Sequence, residues 1–428
     1  MNELKKIFKL SSVYLIGNVL TRIIGIIMLP IYTAYIKPMD YGKYDVSITY
    51  ITFLGSVVFL DIWNGMLRFM YDYADKKGKY SVIVTSFTIF ILSSFLYTLI
   101  FYMAHFYIHV DHLVLIYIYG LISNLTTIVS FIARGYGENK LFMLGGLAGS
   151  IVIAASNYLL LVILKYDYSS LYIASIIGCV VNITVVMFSL QFNTVSINKK
   201  LFNHGLFKDL LSFSLPLCVN SIAYWFLTAY SRVFISSHLN YFENGLYAVA
   251  MKFSVMITLV SECVKLGWQE TSYKRASKKN SSDEMYYSNM INIFARCFYV
   301  GAMIAIPAIK MIYPYFINSQ YDEAKVLIPM CILATCFSSM SGFLGNLFGA
   351  VKHTKNLFIT LVVSSIVNIS MLYVFVPKHG VYWVNVALFC GFLTNCIMRI
   401  IMLKKYIVMK FNYVEACCFL GMFWLLYM

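Results

Sequence analysis

The chain has 428 residues, 61% hydrophobic and only 12% charged, with a formal net charge of +15 and a mean hydropathy of +0.76. A soluble domain of this size carries about 25% charged residues, so the composition excludes a water-soluble fold. The positive charge does not imply nucleic acid, because the basic residues fall mainly in short loops between apolar runs, where the positive-inside rule accounts for them.

Those runs lie near the ~20 residues that cross a hydrocarbon core, and in lipid they must be helices to satisfy their own backbone. The alternation of a β-barrel in ~10-residue segments is absent. Twelve spans are predicted, at 10–36, 44–70, 81–104, 113–134, 141–164, 170–191, 209–236, 244–269, 285–313, 324–351, 357–376 and 381–403. The first follows Lys5, Lys6 and Lys9 and lacks a small-residue cleavage site, so it reads as an uncleaved span. Arg22 lies near its middle, with Asn18, Thr21 and Gly25 on or beside its face. Span 2 carries Asp61, Asn64 and Arg68 on one face. The longest connection, 192–208, is polar and basic and reads as a cytoplasmic linker between an N-terminal lobe, 1–191, and a C-terminal lobe, 209–403. Span 7 repeats a polar stripe in Asn220, Ser221, Tyr224, Thr228 and Ser231. Span 8 carries Lys252, Ser254, Thr258, Glu262, Lys265 and Gln269, with Glu262 and Lys265 spaced to pair. Arg296 falls within span 9. The remainder, 404–428, holds a thirteenth apolar segment from Asn412, which stands as a short span, an interfacial segment or the start of a 14-span arrangement.

Lys and Arg concentrate in the segments that are cytoplasmic when the N-terminus is inside, which sets the expected orientation. Each half begins alike. Asp40-x-Gly42-x-Tyr44-x-Val46 in the first recurs as Glu243-x-Gly245-x-Tyr247-x-Val249 in the second. Six spans plus six in one orientation imply a parallel repeat, hence an all-α integral membrane fold of two six-helix lobes around a central cavity.

Charges near the bilayer centre face cavities or partners. Arg22, Arg68, Lys252 and Lys265 outnumber the acids Asp61 and Glu262, so the cavity is expected to attract an anion, with Asn18 and Asn220 beside it. Phosphate or pyrophosphate suits guanidinium groups. Asp61 and Glu262 are candidates for coupling to a proton or another cation. Arg134 and Arg399, near cytoplasmic ends, are expected to snorkel to the headgroups, and Arg232 to be interfacial. Pro30, Pro216, Pro307 and Pro329 sit within or near spans, where a kink could serve as a hinge, but such prolines are common in membrane helices and read first as structural. The ten cysteines read as small buried hydrophobes. No Walker A pattern, metal-ligand spacing, catalytic motif or large loop is present, so neither an enzyme nor a cofactor is expected.

Four segments resemble one family: IYTAYIKPMDYGKYDV (Ile31 to Val46), WNGMLRFMYDY (Trp63 to Tyr73), KLGWQETSYKRASKK (Lys265 to Lys279), and the stretch from Gly349 to Leu388 with its basic loop, mid-span asparagine, proline and glycine. In this order the chain resembles the polysaccharide-biosynthesis oligosaccharide flippases of the multidrug/oligosaccharidyl-lipid/polysaccharide exporter superfamily. The resemblance implies two lobes around a cavity and alternating access of repeat units carried on polyprenyl pyrophosphate. Cavity cations would hold the pyrophosphate, with Arg22, Arg68 and the span-8 lysines at the matching helices and faces. It also implies a bacterial cytoplasmic membrane, and a polymerase and glycosyltransferases as partners. The rival readings are a cation-coupled small-molecule exporter of the same superfamily and a membrane polysaccharide polymerase.

Overall fold

The computed structural model describes residues 19–190, 202–276, 283–351, 353, 355–407 and 409–427, and for residues 260, 263–267, 269–276, 283, 284 and 350 the backbone alone. The described residues are helical, without a strand. In chain order the helices are α1 (Val19–Tyr35), α2 (Pro38–Phe59), α3 (Ile62–Met70), α4 (Lys76–Tyr107) and α5 (Leu113–Gly135). There follow α6 (Asn139–Ile163), α7 (Ser169–Ser189), α8 (His204–Thr228), α9 (Tyr230–His238) and α10 (Tyr241–Ala276). The last are α11 (Asp283–Phe316), α12 (Ala324–Ala350), α13 (Lys355–His379), α14 (Tyr382–Leu403) and α15 (Tyr413–Tyr427). Among the described residues nine helices are long and apolar enough to cross a membrane, or ten with α2 and α3 taken as one bent span. The other two expected spans correspond to α1, described over 17 residues, and to α10, 36 residues long and more polar than its neighbours.

The chain divides into two compact units, Met1–Ile36 with Val46–Ile222, and Lys37–Asp45 with Ala223–Met428. The start of α2 therefore groups with the second half of the chain, and α8 as far as Ile222 with the first.

The first unit is built on an aromatic and aliphatic core shared by α2, α3, α4 and α5. Phe59 meets Phe90 at 4.9 Å and Tyr97 at 5.7 Å between ring centroids. In lipid the gain comes from close packing rather than from leaving water. In the same unit α7 lies against α6, where a Cβ on Gly149 would sit 2.8 Å from the Gly178 carbonyl oxygen.

In the second unit α12 is the central helix, and most of it is buried. Several of its polar atoms pair with neighbouring helices. Ser341 Oγ donates to Asn395 Oδ1 at 2.8 Å, and Asn395 Nδ2 donates to the Thr360 carbonyl oxygen at 3.2 Å. Arg399 is not at the headgroups, as its terminal position suggested. It is 5% exposed and donates to Thr360 Oγ1 at 3.2 Å and to the Ser341 carbonyl oxygen. Gly345 leaves the room for it: a Cβ there would stand 2.8 Å from the guanidinium. The thirteenth apolar segment is a helix, α15, laid along α11. Arg296 donates through two nitrogens to the Glu415 carboxylate at 2.7 and 2.5 Å, Tyr299 stacks on Phe419 at 4.3 Å, and Tyr427 Oη donates to the Met303 carbonyl oxygen at 3.1 Å.

Candidate functional site

Two places in the described structure bring buried polar groups together at a special backbone feature, a helix break in the first unit and a close helix crossing in the second.

In the first unit the second span breaks. Leu60 and Asp61 have φ of 56° and 49°, and α2 and α3 meet at 52°. The left-handed region costs an L-residue about 1–2 kcal/mol, and neither residue is a glycine, so the surroundings must hold the break open. They do so through α8. Ser221 Oγ donates to Asp61 Oδ2 at 2.5 Å. Cys218 Sγ donates to the Ser56 carbonyl oxygen at 3.1 Å, one of the terminal carbonyls that α2 leaves unpaired. Gly65, on α3, approaches so closely that a Cβ would stand 2.5 Å from Ser214 Oγ. Asp61 itself is buried and opens α3, where the Asn64 amide donates to its carbonyl oxygen at 2.9 Å. A buried carboxylate at the joint of a broken membrane helix is suited to binding a cation or a proton.

The second place lies where the two copies of the repeated turn meet. Asp40 and Glu243 occupy the first turns of α2 and α10, where a negative charge complements the helix dipole. A Cβ on Gly42 would collide with the Tyr241 carbonyl oxygen, and one on Gly245 with the Pro38 carbonyl oxygen. Only glycine at both positions lets the two helix starts cross. Below the crossing, Arg232 Nε binds Asp45 Oδ2 at 2.9 Å and its guanidinium lies 5.7 Å from the Tyr247 ring centroid. Asn244 Nδ2 donates to the Gly42 carbonyl oxygen at 3.0 Å and to Asp45 Oδ2 at 3.3 Å. Lys252, half-buried on α10, lies in the field of both Asp45 and Arg232. Above the crossing Glu243 faces Glu323. Burial, and then that like charge, raise its carboxyl above the usual range.

The other expected site residues are placed as follows. Arg22 is half-buried on α1. Arg68 is exposed and pairs with Asp72 one turn on, at 2.5 Å. Asn220 is exposed on α8, while its neighbour Ser221 turns to Asp61. Glu262 is half-buried on α10. Asn18 and the side chain of Lys265 lie outside the described residues. Arg22, Arg68, Asp61 and Asn220 belong to the first unit, and Lys252 and Glu262 to the second. Asp45 and Arg232 were missed as a pair. Arg232 is no lone interfacial cation, because its partner lies far away in sequence, where the periodicity of a single span cannot find it.

Residues 7–263, more than half of the chain, match the polysaccharide biosynthesis protein family. No curated protein matches by sequence. Among solved structures, the chain is similar to the lipid II flippase MurJ in an inward closed conformation, with a TM-score of 0.72 and 16% identity over 97% of this chain and 92% of that one. It is similar to an inward-facing multidrug resistance transporter of the MATE family, with a TM-score of 0.68 and 14% identity over 91% and 92%. A transporter of the same MOP superfamily from Pyrococcus furiosus, described as having a binding pocket of reverse polarity, gives 0.61 and 15% over 92% and 93%. At these identities the likeness establishes the fold, that of multi-pass membrane transporters and flippases. The chain belongs to the polysaccharide biosynthesis protein family.

Proposed function

We propose that the protein translocates oligosaccharide repeat units linked to polyprenyl pyrophosphate across a bacterial cytoplasmic membrane, with its N-terminus inside, for the assembly of a surface polysaccharide. The family match carries this reading. The fold shared with a lipid II flippase supports it. The cationic side chains support the choice of an anionic head: Arg22, Arg68, Lys252 and Lys265 would hold the pyrophosphate, with Asn18 and Asn220 beside it. The lobes, 1–191 and 209–403 joined by 192–208, would alternate access, and the crossing of Gly42 and Gly245 would part to open the outer side. Asp61 at the helix break, and Glu262 on α10, would couple the cycle to a proton or another cation. The prenyl tail would stay among membrane lipids. Glycosyltransferases would supply the repeat unit and a polymerase would consume it.

The test is deletion of the gene in its host. Lipid-linked repeat units should accumulate at the inner leaflet and surface polymer should fall, and an Arg22→Ala copy should fail to restore either although the protein reaches the membrane. Full restoration by that copy would remove Arg22 from the binding role. The fold shared with multidrug transporters keeps a small-molecule exporter as the second reading. It predicts changed drug tolerance with no accumulated lipid-linked sugar.

A further inference from the structure

The first unit contains a cavity of about 400 Å³ that neither the helix break nor the cations explain. It opens between α5, α6 and α7, with Thr21 of α1 at its edge. Its volume falls in the usual range for small-ligand sites, about 300–1,000 Å³. No charged residue lines it. The lining is instead rich in hydroxyl groups and, within the membrane, polar groups of this kind face a partner or a wet cavity.

Three hydroxyls of the lining are turned to their own helix backbone. Thr126 Oγ1 donates to the Ile122 carbonyl oxygen at 2.8 Å, and Thr127 Oγ1 to that of Ser123 at 3.0 Å. Ser150 Oγ donates to the Gly146 carbonyl oxygen at 2.9 Å. Each of these three hydroxyls spends its only proton on its own helix and keeps lone pairs to accept with. Asn182 adds a side-chain amide, which both accepts and donates. The wall is therefore uncharged, with acceptors at these hydroxyls and donors at Ser130, Cys179 and the Asn182 amide nitrogen. Such a wall has no charged group of its own to pair with an anion or with a cation. It matches a neutral molecule with several O–H or N–H donors. Phe131 and Phe142 supply apolar faces at the end where the Arg134 guanidinium stacks over both rings, at 4.6 and 5.4 Å. Gly146 borders open space, with nothing within 4 Å of where its Cβ would be.

A donor-rich, uncharged ligand with apolar ring faces is a neutral sugar. We propose that this cavity is a glycan subsite, holding an uncharged sugar ring of the cargo by accepting hydrogen bonds from its hydroxyl or acetamido groups. The proposal rests on the flippase reading for the source of the sugar, but it can be tested apart from it.

The full-length protein in nanodiscs is heated with saturating methyl glycosides of a hexose, a 6-deoxyhexose, an N-acetylhexosamine and a hexuronate. A ligand that binds the folded state raises its unfolding midpoint. At least one neutral glycoside should raise it, the hexuronate should not, and Gly146→Leu, which fills the cavity, should erase the rise. If Gly146→Leu does not fold, Thr127→Val, which removes one acceptor, should weaken binding of the effective glycoside about tenfold. No shift with any neutral glycoside, an equal shift with the hexuronate, or a shift that survives both substitutions would overturn the subsite. Flippase function is judged separately, by the accumulated lipid-linked repeat units in the deletion strain. Glycoside binding without accumulation would fault the flippase reading and leave the subsite standing; accumulation without glycoside binding would do the reverse.

Discussion

The second span of each half starts from the same turn and ends differently. Asp40-x-Gly42-x-Tyr44-x-Val46 leads into α2, which breaks at Leu60 and Asp61, whereas Glu243-x-Gly245-x-Tyr247-x-Val249 leads into α10, which continues unbroken to Ala276. Each carries an acid well beyond the turn, Asp61 in the first and Glu262 in the second. Asp61 is buried at a joint in left-handed backbone and held by Ser221. Glu262 is half-buried on a continuous helix. The repeat thus keeps its turn, where two helix starts must cross, and gives up its symmetry where one acid acquires a special environment. Strain of this kind persists where the surrounding structure holds it, and it marks functional sites.

The shared part of the comparison should break most severely. Gly42→Ala and Gly245→Ala each push a methyl group into backbone, which a rotamer change cannot relieve. Either substitution should reduce surface polymer by more than about tenfold, a loss that ~1.4 kcal/mol against the closed crossing would produce. Gly25→Ala, with open space at its Cβ, is the control and should leave export unchanged. Equal effects at all three positions would mean that the crossing has no special role.

The differing part comes next. Asp61→Asn should reduce export about tenfold, and Glu262→Gln only about twofold to threefold, measured as surface polymer at equal membrane protein. Asp61→Gly separates the two properties of this residue. It removes the carboxylate but relieves about 1 kcal/mol of left-handed strain, so thermal stability should hold while export falls. If export follows stability in this variant, Asp61 is only a structural joint, and the contrast with Glu262 has no functional content.

Much of this architecture is legible in the sequence, because lipid leaves the backbone no alternative to helices and the apolar runs have nearly the length that a bilayer demands. The Gly42 and Gly245 turns were legible as a repeat. Their mutual contact was not, since it joins segments about half a chain apart. The break in the second span was not legible. Pro216, Pro307 and Pro329 sit inside continuous helices α8, α11 and α12, where neighbouring helices can satisfy the carbonyls that proline leaves free. The break that does occur, at Leu60 and Asp61, involves neither proline nor glycine. It depends on Ser221 and Cys218, some 160 residues away. Arg399 failed for a related reason. Its position at the end of an apolar run suggested the headgroups, but Ser341, Thr360 and the space at Gly345 supply a buried seat.

The smallest expected effect concerns the Glu243 side of the crossing and depends on pH. Glu243 lies one residue ahead of the expected eighth span, and its amide is capped by Asn240 Oδ1 at 2.8 Å. Burial and the facing Glu323 favour its protonated form in the folded protein. A carboxyl whose folded value is raised stabilises the fold fully below its ordinary value, 4.5, and loses that contribution as pH rises through the raised value. Mild acid should therefore raise the unfolding midpoint of the wild type relative to neutral pH, and Glu243→Gln, neutral throughout, should flatten that part of the profile. Glu323→Gln should flatten it partly, by removing the like charge while leaving the burial. Asp40, the repeat counterpart of Glu243 in the first turn of α2, is the internal comparison. If Asp40→Asn flattens the profile as much as Glu243→Gln does, the acid response belongs to the turn as a repeated motif. If only Glu243→Gln does so, it belongs to the second half alone, and the two turns differ in charge chemistry as well as in the helices they start.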